Sequence, residues 1–299
     1  MNIQTLSLIA GGTACNSRCP FCISQNTPKC GMDLYCPKLN LRNFKICLGM
    51  ALRSNVSTVI ITGKGEPTLF PGRIWEYLEH MSQWCKFPDV IPFIELQTNG
   101  IRLASEEMDE DLEGWKALGL THINISVVHW EYEKNRAIYQ PDGDYMDLPV
   151  LIAKLNQLGF TVRLSCMGVK GYIEDVGGLK GLLHFAKENG VKQITFRSIV
   201  RLAEHGEKND DSISDVDRWV DEHGLEVAQI NAIDKFVRDE GHLCLPLAHG
   251  ANVFDIDGQN FCWATCLTTN TSKDDIRQII FFQDGTIRYD WRYEGAILL

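Results

Sequence analysis

The sequence predicts an α/β protein: a partial (β/α)6 barrel of parallel strands with a small C-terminal α+β extension. Six short apolar runs alternate with helical patterns over the first two thirds of the chain. Such alternation indicates a parallel sheet with right-handed crossovers. Turn signals and β-prone runs follow, so we expect a barrel domain at 1–200 and a C-terminal extension at 201–299.

The candidate strands are short apolar runs separated by stripes of apolar residues at helical spacing. The strands are Ile3–Ala10, Val56–Thr62, Ile91–Gln97, His122–Val128, Thr161–Met167 and Lys192–Arg197. The stripes include Ile74, Leu78, Met81 and Cys85; Leu151, Leu155 and Leu158; and Leu179, Leu182, Leu183 and Ala186. Asp147 is predicted to begin the helix that contains Leu151. Gly159 and Gly190 are predicted to follow the ends of the last two helices.

Polar residues alternate with apolar ones along the last three candidate strands. Strands of a doubly wound sheet are covered on both faces and are nearly continuous apolar runs. A barrel lumen is usually packed with branched apolar residues, so a polar lumen indicates a bound ligand. The spacing of strands and helices along the chain is compatible with either a doubly wound sheet or a barrel. The alternation of polar and apolar residues within the strands favours the barrel. The polar residues are Asn124, Ser126, Arg163, Ser165, Thr195 and Arg197.

The predicted extension begins with a polar, acidic stretch at Glu204–Asp217, which we expect to be a surface linker. Val216–His223 and Val227–Val237 are predicted to be short helices. Ala251–Ala264 and Ile279–Trp291 each place an Asp-Gly dipeptide between β-prone flanks, which predicts two hairpins.

Composition excludes several classes of function. The chain has 299 residues and a net charge of −10, which predicts no general attraction to nucleic acid or to an anionic membrane. Met1–Gly11 lacks a basic start and a signal-length apolar core, and no apolar run approaches the roughly 20 residues of a membrane span. We therefore expect a cytoplasmic protein whose eleven cysteines are free thiols or cluster ligands.

Cys15, Cys19 and Cys22 form a C-x3-C-x2-C run directly after the first candidate strand. Three thiolates on one loop can hold three irons of a cubane cluster and leave the fourth iron open to a ligand. A zinc knuckle and three unrelated thiols are the alternatives. Zinc sites usually pair such cysteines with a second pair or with two histidines, and no such pattern follows nearby.

The second candidate strand ends in Gly63-Lys64-Gly65-Glu66. This places flexible backbone and one carboxylate at the C-terminal mouth of the sheet, where parallel α/β folds bind ligands. Glycines let a ligand approach the main chain closely. Glu66 can accept hydrogen bonds from an ammonium group.

In this order, the cysteine run and the glycine-glutamate run resemble the radical SAM superfamily. The resemblance implies a [4Fe-4S] cluster on Cys15, Cys19 and Cys22, and S-adenosylmethionine with its amine near Gly63, Gly65 and Glu66. The usual form has two adjacent glycines before the glutamate, whereas Lys64 separates them here. Residues 1–200 resemble the branch of the GTP cyclase of molybdenum-cofactor biosynthesis.

The resemblance also implies further cofactor-binding residues, each at the end of a strand or beside a cluster cysteine. Phe21 matches an aromatic residue that packs near the adenine, and Arg163 matches a basic residue that meets the cofactor carboxylate. The remaining residues implied are Thr98, Asn99, Asn124, Ser126 and Ser165. No catalytic residue is assigned.

The activity implied is reductive cleavage of S-adenosylmethionine to a 5′-deoxyadenosyl radical, which takes a hydrogen atom from a small-molecule or nucleotide substrate. A one-electron reductant such as flavodoxin or ferredoxin is implied as a partner, and so is sensitivity to oxygen. A peptide-modifying enzyme of the same superfamily is one alternative. A non-catalytic iron–sulfur scaffold or sensor is the other.

Three cysteines of the extension, Cys244, Cys262 and Cys266, resemble the ligands of an auxiliary cluster only in outline. Buried cysteines are commonly small hydrophobic residues, so a single cluster is the favoured expectation and a second cluster the alternative. Cys47 and Cys85 lie on helix stripes and are expected in the core.

Substrate candidates follow the strand ends. They are Lys64, His129, Trp130, Arg136, Tyr139, Arg197 and Arg201. Arg197 and Arg201 together can hold a phosphate or carboxylate through paired donors; the alternative is a surface ion pair with the acidic stretch. Cys166 is either a hydrogen-atom donor or a packed core thiol.

Overall fold

The computed structural model describes residues 2–84, 91–201, 214–247, 250–264 and 275–299. Within these ranges the first six strands are β1 (Asn2–Ile9), β2 (Thr58–Thr62), β3 (Phe93–Thr98), β4 (His122–Val127), β5 (Thr161–Gly168) and β6 (Gln193–Ser198). The later strands are β7 (His242–Pro246), β8 (Asn252–Ile256), β9 (Gln259–Trp263), β10 (Asp275–Phe281) and β11 (Ile287–Arg288).

The helices are α1 (Leu41–Arg53), α2 (Pro71–Trp84), α3 (Asp109–Ala117), α4 (Tyr132–Tyr139), α5 (Leu148–Gln157), α6 (Val176–Glu188), α7 (Asp215–His223) and α8 (Val227–Glu240). The Asp147 side chain accepts from the backbone N–H of Val150 at 3.0 Å and caps α5. Gly159 and Gly190 have positive φ just beyond α5 and α6, which confirms both predicted helix ends.

The strands form one 11-stranded sheet in the order β11-β10-β1-β2-β3-β4-β5-β6-β9-β8-β7. From β10 to β9 every neighbouring pair is parallel, while β11, β8 and β7 pair antiparallel. Because the first and last strands of this order do not pair, the barrel is open. The predicted α/β class and partial barrel are confirmed.

All six predicted barrel strands are present, with ends shifted by two residues or fewer. Both predicted C-terminal helices and both Asp-Gly hairpins are also present. The sequence did not indicate that the hairpins extend the barrel sheet, β10 beside β1 and β9 beside β6. The domain division at residue 200 remains a prediction, and residues 204–213 of the acidic stretch lie outside the described residues.

The outer face of the sheet and the helices share one apolar core. Phe281 of β10 lies within it, with ring centroids 5.2 Å from Phe44 of α1 and 6.3 Å from Tyr77 of α2. Cys47 is fully buried on α1, as expected, whereas Cys85 lies outside the described residues. Of the helices described, none has both the length and the apolar character needed to span a membrane.

We predict that Phe281→Ala lowers the free energy of unfolding by about 3–5 kcal/mol, because it removes a fully buried ring that joins β10 to two helices. Urea unfolding followed by circular dichroism measures the change. Tyr289→Ala, just after β11 and 47% exposed, is the control and should cost less than about 1 kcal/mol. Equal, small losses for both variants would show that β10 contributes little to the core.

Candidate active site

A cavity of about 270 Å³ opens where the parallel strands end. Its walls come from the loop after β1, the ends of β2, β3 and β6, and helix α7. Many of the residues expected around the cofactor line it: Cys15, Cys19, Phe21, Cys22, Gly63, Gly65, Glu66, Thr98, Asn99 and Ser126. Residues distant in sequence thus meet at the C-terminal mouth, as expected for a parallel barrel.

Glu66 is at the centre of the hydrogen bonding in this wall, and only 3% of the residue is exposed. One carboxylate oxygen, Oε1, accepts from the Thr68 N–H at 3.0 Å, the Thr68 hydroxyl at 2.7 Å and the Thr98 hydroxyl at 2.6 Å. The other, Oε2, accepts from the Asn99 N–H at 2.9 Å. Burial raises the pKa of Glu66, and these hydrogen bonds oppose the rise.

Asn99 links the same wall to the cysteine loop. Its side-chain amide donates to Oδ1 of Asn16 at 2.7 Å and to Oγ of Ser17 at 3.3 Å. The backbone N–H of Glu66 also donates to the carbonyl of Ala14 at 2.9 Å. The loop that carries the three cysteines is therefore fixed to the ends of β2 and β3.

Gly65 allows the close approach between the cysteine loop and the end of β2. A Cβ at this position would lie 1.9 Å from the carbonyl oxygen of Ala14, far inside contact distance. At Gly63 a Cβ would lie 3.0 Å from the Gly65 carbonyl oxygen and 3.2 Å from that of Ala10. Both positions thus favour glycine because backbone packs against backbone there.

Lys64, expected as a substrate candidate, has a structural role instead. Its ammonium group donates to the carbonyls of Thr27 at 2.9 Å and Pro28 at 2.6 Å. Burial lowers the pKa of Lys64 to about 8. Lys64, which separates the two glycines, therefore connects the end of β2 by hydrogen bonds to the segment after the cysteines.

The three cysteines are close enough to influence one another. Burial raises the pKa of Cys15 to about 11, with smaller contributions from Glu66 and Cys22. Burial also raises the pKa of Cys19, and Cys22 and Cys15 add to the rise. A bound cluster or metal ion would favour the thiolate form of these cysteines.

Among the described residues, no three His, Cys, Asp or Glu side chains are arranged to hold a single metal ion. Thiolates of a cubane cluster bind different irons, so they need not converge on one point. Cys15, Cys19 and Cys22 all line the cavity, which is compatible with a cluster of this kind.

Asn124, Arg163 and Ser165 do not line the cavity. Arg163 forms an ion pair with Glu95, whose side chain is 4% exposed, and donates to Oγ1 of Thr195 at 3.3 Å. Asn124 donates to Glu95 at 3.2 Å. These polar residues form a floor inside the barrel, and their assignment to the cofactor stays a prediction.

The remaining substrate candidates separate into two groups. Tyr139 and Arg197 form the first group, because both line the cavity.

The second group is not among the residues that line this cavity. His129 accepts from the Glu131 N–H at 3.0 Å, its ring stacks on Trp130, and burial lowers its pKa to about 4. Arg136 lines a separate cavity along α4, Arg201 pairs with Asp221 at 2.9 Å, and Cys166 is a fully buried core thiol.

Helix α7 also lines the cavity, which the sequence did not indicate. Val216, Asp217 and Val220 face it. Asp217 accepts from Nδ2 of Asn26 at 2.8 Å, and this contact joins α7 to the segment after the cysteines. The four-residue spacing of the two valines predicts a helix, but not which strand ends the helix covers.

Comparison with known proteins agrees with this site. A family model described as the radical SAM superfamily matches residues 9–177, more than half of the chain. A GTP 3′,8-cyclase of Aquifex aeolicus is 29% identical over 180 residues, which cover 59% of this chain and 51% of the relative. The chain therefore spans about half the length of that curated relative.

Solved structures share the fold at low identity. They include anSMEcpe with bound AdoMet (TM-score 0.60, 14% identity, 99% of this chain and 74% of that chain). Streptococcus suis SuiB bound to the precursor peptide SuiA has a TM-score of 0.56 at 15% identity, over 96% of this chain and 59% of that chain. Methylornithine synthase PylB has a TM-score of 0.52 at 13% identity, over 91% of this chain and 77% of that chain.

We predict that Arg163→Met lowers the free energy of unfolding by about 3 kcal/mol, because it leaves Glu95 buried without its charged partner. The double variant that adds Glu95→Gln should recover part of the loss, since no unpaired charge then remains. Urea unfolding measures both variants, and calorimetry with S-adenosylmethionine measures cofactor affinity. Lost cofactor affinity at unchanged stability would instead assign Arg163 to the cofactor.

Proposed function

The chain belongs to the radical SAM superfamily, and we propose that it is an enzyme that cleaves S-adenosylmethionine reductively and abstracts a hydrogen atom from a small-molecule or nucleotide substrate. One observation carries the proposal: Cys15, Cys19, Cys22 and the Glu66 carboxylate line the same cavity. A cluster protein without turnover has no need of a buried carboxylate beside its cysteines.

We assign the three cysteines to the cluster and Glu66 to the amine of S-adenosylmethionine. A carboxylate offers about four acceptor sites, and Oε2 of Glu66 accepts only the Asn99 N–H among the described residues. A further donor can therefore bind this oxygen. An ammonium group there would also offset the cost of burying the carboxylate.

The cluster, when bound, supplies the electron that splits S-adenosylmethionine into methionine and a 5′-deoxyadenosyl radical. The chain's own residues bind and shield the reactants. Phe21, Ile199, Val200, Val216 and Val220 all contribute apolar surface to the cavity. Apolar walls exclude water from a site of reactive chemistry.

The substrate and the reductant are the least constrained parts of the proposal. The cavity suits ligands of small-molecule size, and the peptide in the SuiB structure makes a peptide substrate the second candidate. A flavodoxin or ferredoxin is the proposed one-electron reductant.

The test is anaerobic reconstitution with iron and sulfide, followed by reduction and measurement of 5′-deoxyadenosine. Wild type should produce it, and the variant with Cys15, Cys19 and Cys22 all changed to Ala should produce none. Cys47→Ala, which removes a buried thiol of α1, is the control and should retain production. Production by the triple variant would refute the proposed cluster site.

We predict that Glu66→Gln weakens binding of S-adenosylmethionine by about 1.5–3 kcal/mol, the size of a hydrogen bond to a charged group. Glutamine keeps the shape of the side chain and, through Oε1, the acceptor for Thr68 and Thr98, but it loses the acceptor for the Asn99 N–H. Isothermal titration calorimetry gives the affinity. Glu110→Gln, on the exposed surface of α3, is the matched control. Equal affinities in both variants would assign Glu66 a purely structural role.

A second cluster is a separate hypothesis. Cys262 is 5% exposed on β9 and packs with Ala251 and Val253, whereas Cys244 is exposed on the outer strand β7. Cys266 lies outside the described residues. We propose a single cluster and treat Cys262 as a core thiol.

Iron analysis of the triple variant that lacks Cys15, Cys19 and Cys22 tests the single cluster. We predict no bound iron in this variant, because Cys262 is packed as a small hydrophobic residue. Mössbauer spectroscopy identifies any cluster that remains. About four irons per chain with a cubane spectrum would establish the second site.

A further inference from the structure

Arg197 is at the end of β6 and lines the cavity. The one polar contact of its side chain among the described residues is between Nε and Sδ of Met167, at 3.4 Å. No described carboxylate pairs with it, whereas Arg201, four residues later, pairs with Asp221. Arg197 is partly buried, and this burial lowers its pKa.

Tyr139, the last residue of α4, is 2% exposed and lines the same cavity. Its hydroxyl has no hydrogen-bond partner among the described residues. The negative charge of an ionised Tyr139 would raise the pKa of Arg197, so the two groups are within electrostatic reach. An ionised Cys262 would also raise the pKa of Arg197. The positive charge of Arg277 lowers it.

Buried polar groups in folded proteins almost always have partners, so the buried Tyr139 hydroxyl points to a missing ligand. The Arg197 guanidinium, which has no described carboxylate partner, lines the same cavity. A guanidinium and a phenol hydroxyl are both donors. A guanidinium presents donors in the planar arrangement that matches a carboxylate or a phosphate. The ligand group that satisfies both residues is therefore an oxyanion.

We infer that Arg197 and Tyr139 form a binding subsite for the carboxylate or phosphate of the substrate. The inference deepens the proposed function and rests on it. The carboxylate of S-adenosylmethionine is attached to the same carbon as the amine assigned to Glu66, at the end of β2. Arg197 is on β6, four strands further along the sheet. Under this inference the subsite serves a second molecule that carries an anionic group, and the S-adenosylmethionine titrations below test this.

The test is calorimetry on the reconstituted protein, with S-adenosylmethionine, inorganic phosphate and acetate as separate titrants. Wild type should bind at least one of the two anions. Arg197→Met should weaken that binding at least tenfold, and Tyr139→Phe about threefold. Arg197→Lys keeps the charge without the planar donors and should fall between wild type and Arg197→Met. Arg201→Met, which removes a surface ion pair, is the matched control and should bind like wild type.

All variants should bind S-adenosylmethionine within about twofold of wild type. The inference fails if wild type binds neither anion. It also fails if Arg197→Met and Arg197→Lys lose affinity for S-adenosylmethionine while anion binding is unchanged. Anion binding that depends on Arg197, in a protein that binds no S-adenosylmethionine, would keep the subsite and overturn the proposed function instead.

Discussion

The buried carboxylate of Glu66 is the constraint on which the cavity depends. Two segments donate to it: the turn after β2, through Thr68, and the end of β3, through Thr98 and Asn99. Asn99 then holds the cysteine loop through Asn16. A carboxylate without partners is too costly to bury, so a change at one of these positions disturbs the others.

Charged side chains inside the barrel are paired at its floor and unpaired at its mouth. On the floor, the charge of Arg163 is matched by Glu95, and Asn124 and Thr195 add hydrogen bonds, while Asn124 Oδ1 and Arg163 Nε have no partner among the described residues. At the mouth, Glu66 has no described cationic partner and Arg197 has no described anionic one. The paired charges on the floor need no charged ligand, whereas the unpaired charges at the mouth are suited to ligands of both charges.

The sequence predicts the barrel strands and the loops that carry the cysteines and glycines, because these features depend on local patterns. Short apolar runs located β4, β5 and β6, period-two alternation favoured the barrel, and the cysteine and glycine runs located the loops that line the cavity. Contacts across the barrel leave no local signal. The sequence therefore did not show that Lys64 contacts Thr27, that Arg163 pairs with Glu95, or that α7 covers the mouth.

The central claim is that the cavity brings S-adenosylmethionine to an open iron of a cluster on Cys15, Cys19 and Cys22. Electron paramagnetic resonance of the reduced, reconstituted protein tests it most directly, because a ligand on the iron changes the electronic structure of the cluster. The account predicts a spectrum that shifts when S-adenosylmethionine is added. An identical spectrum with and without saturating S-adenosylmethionine would contradict it.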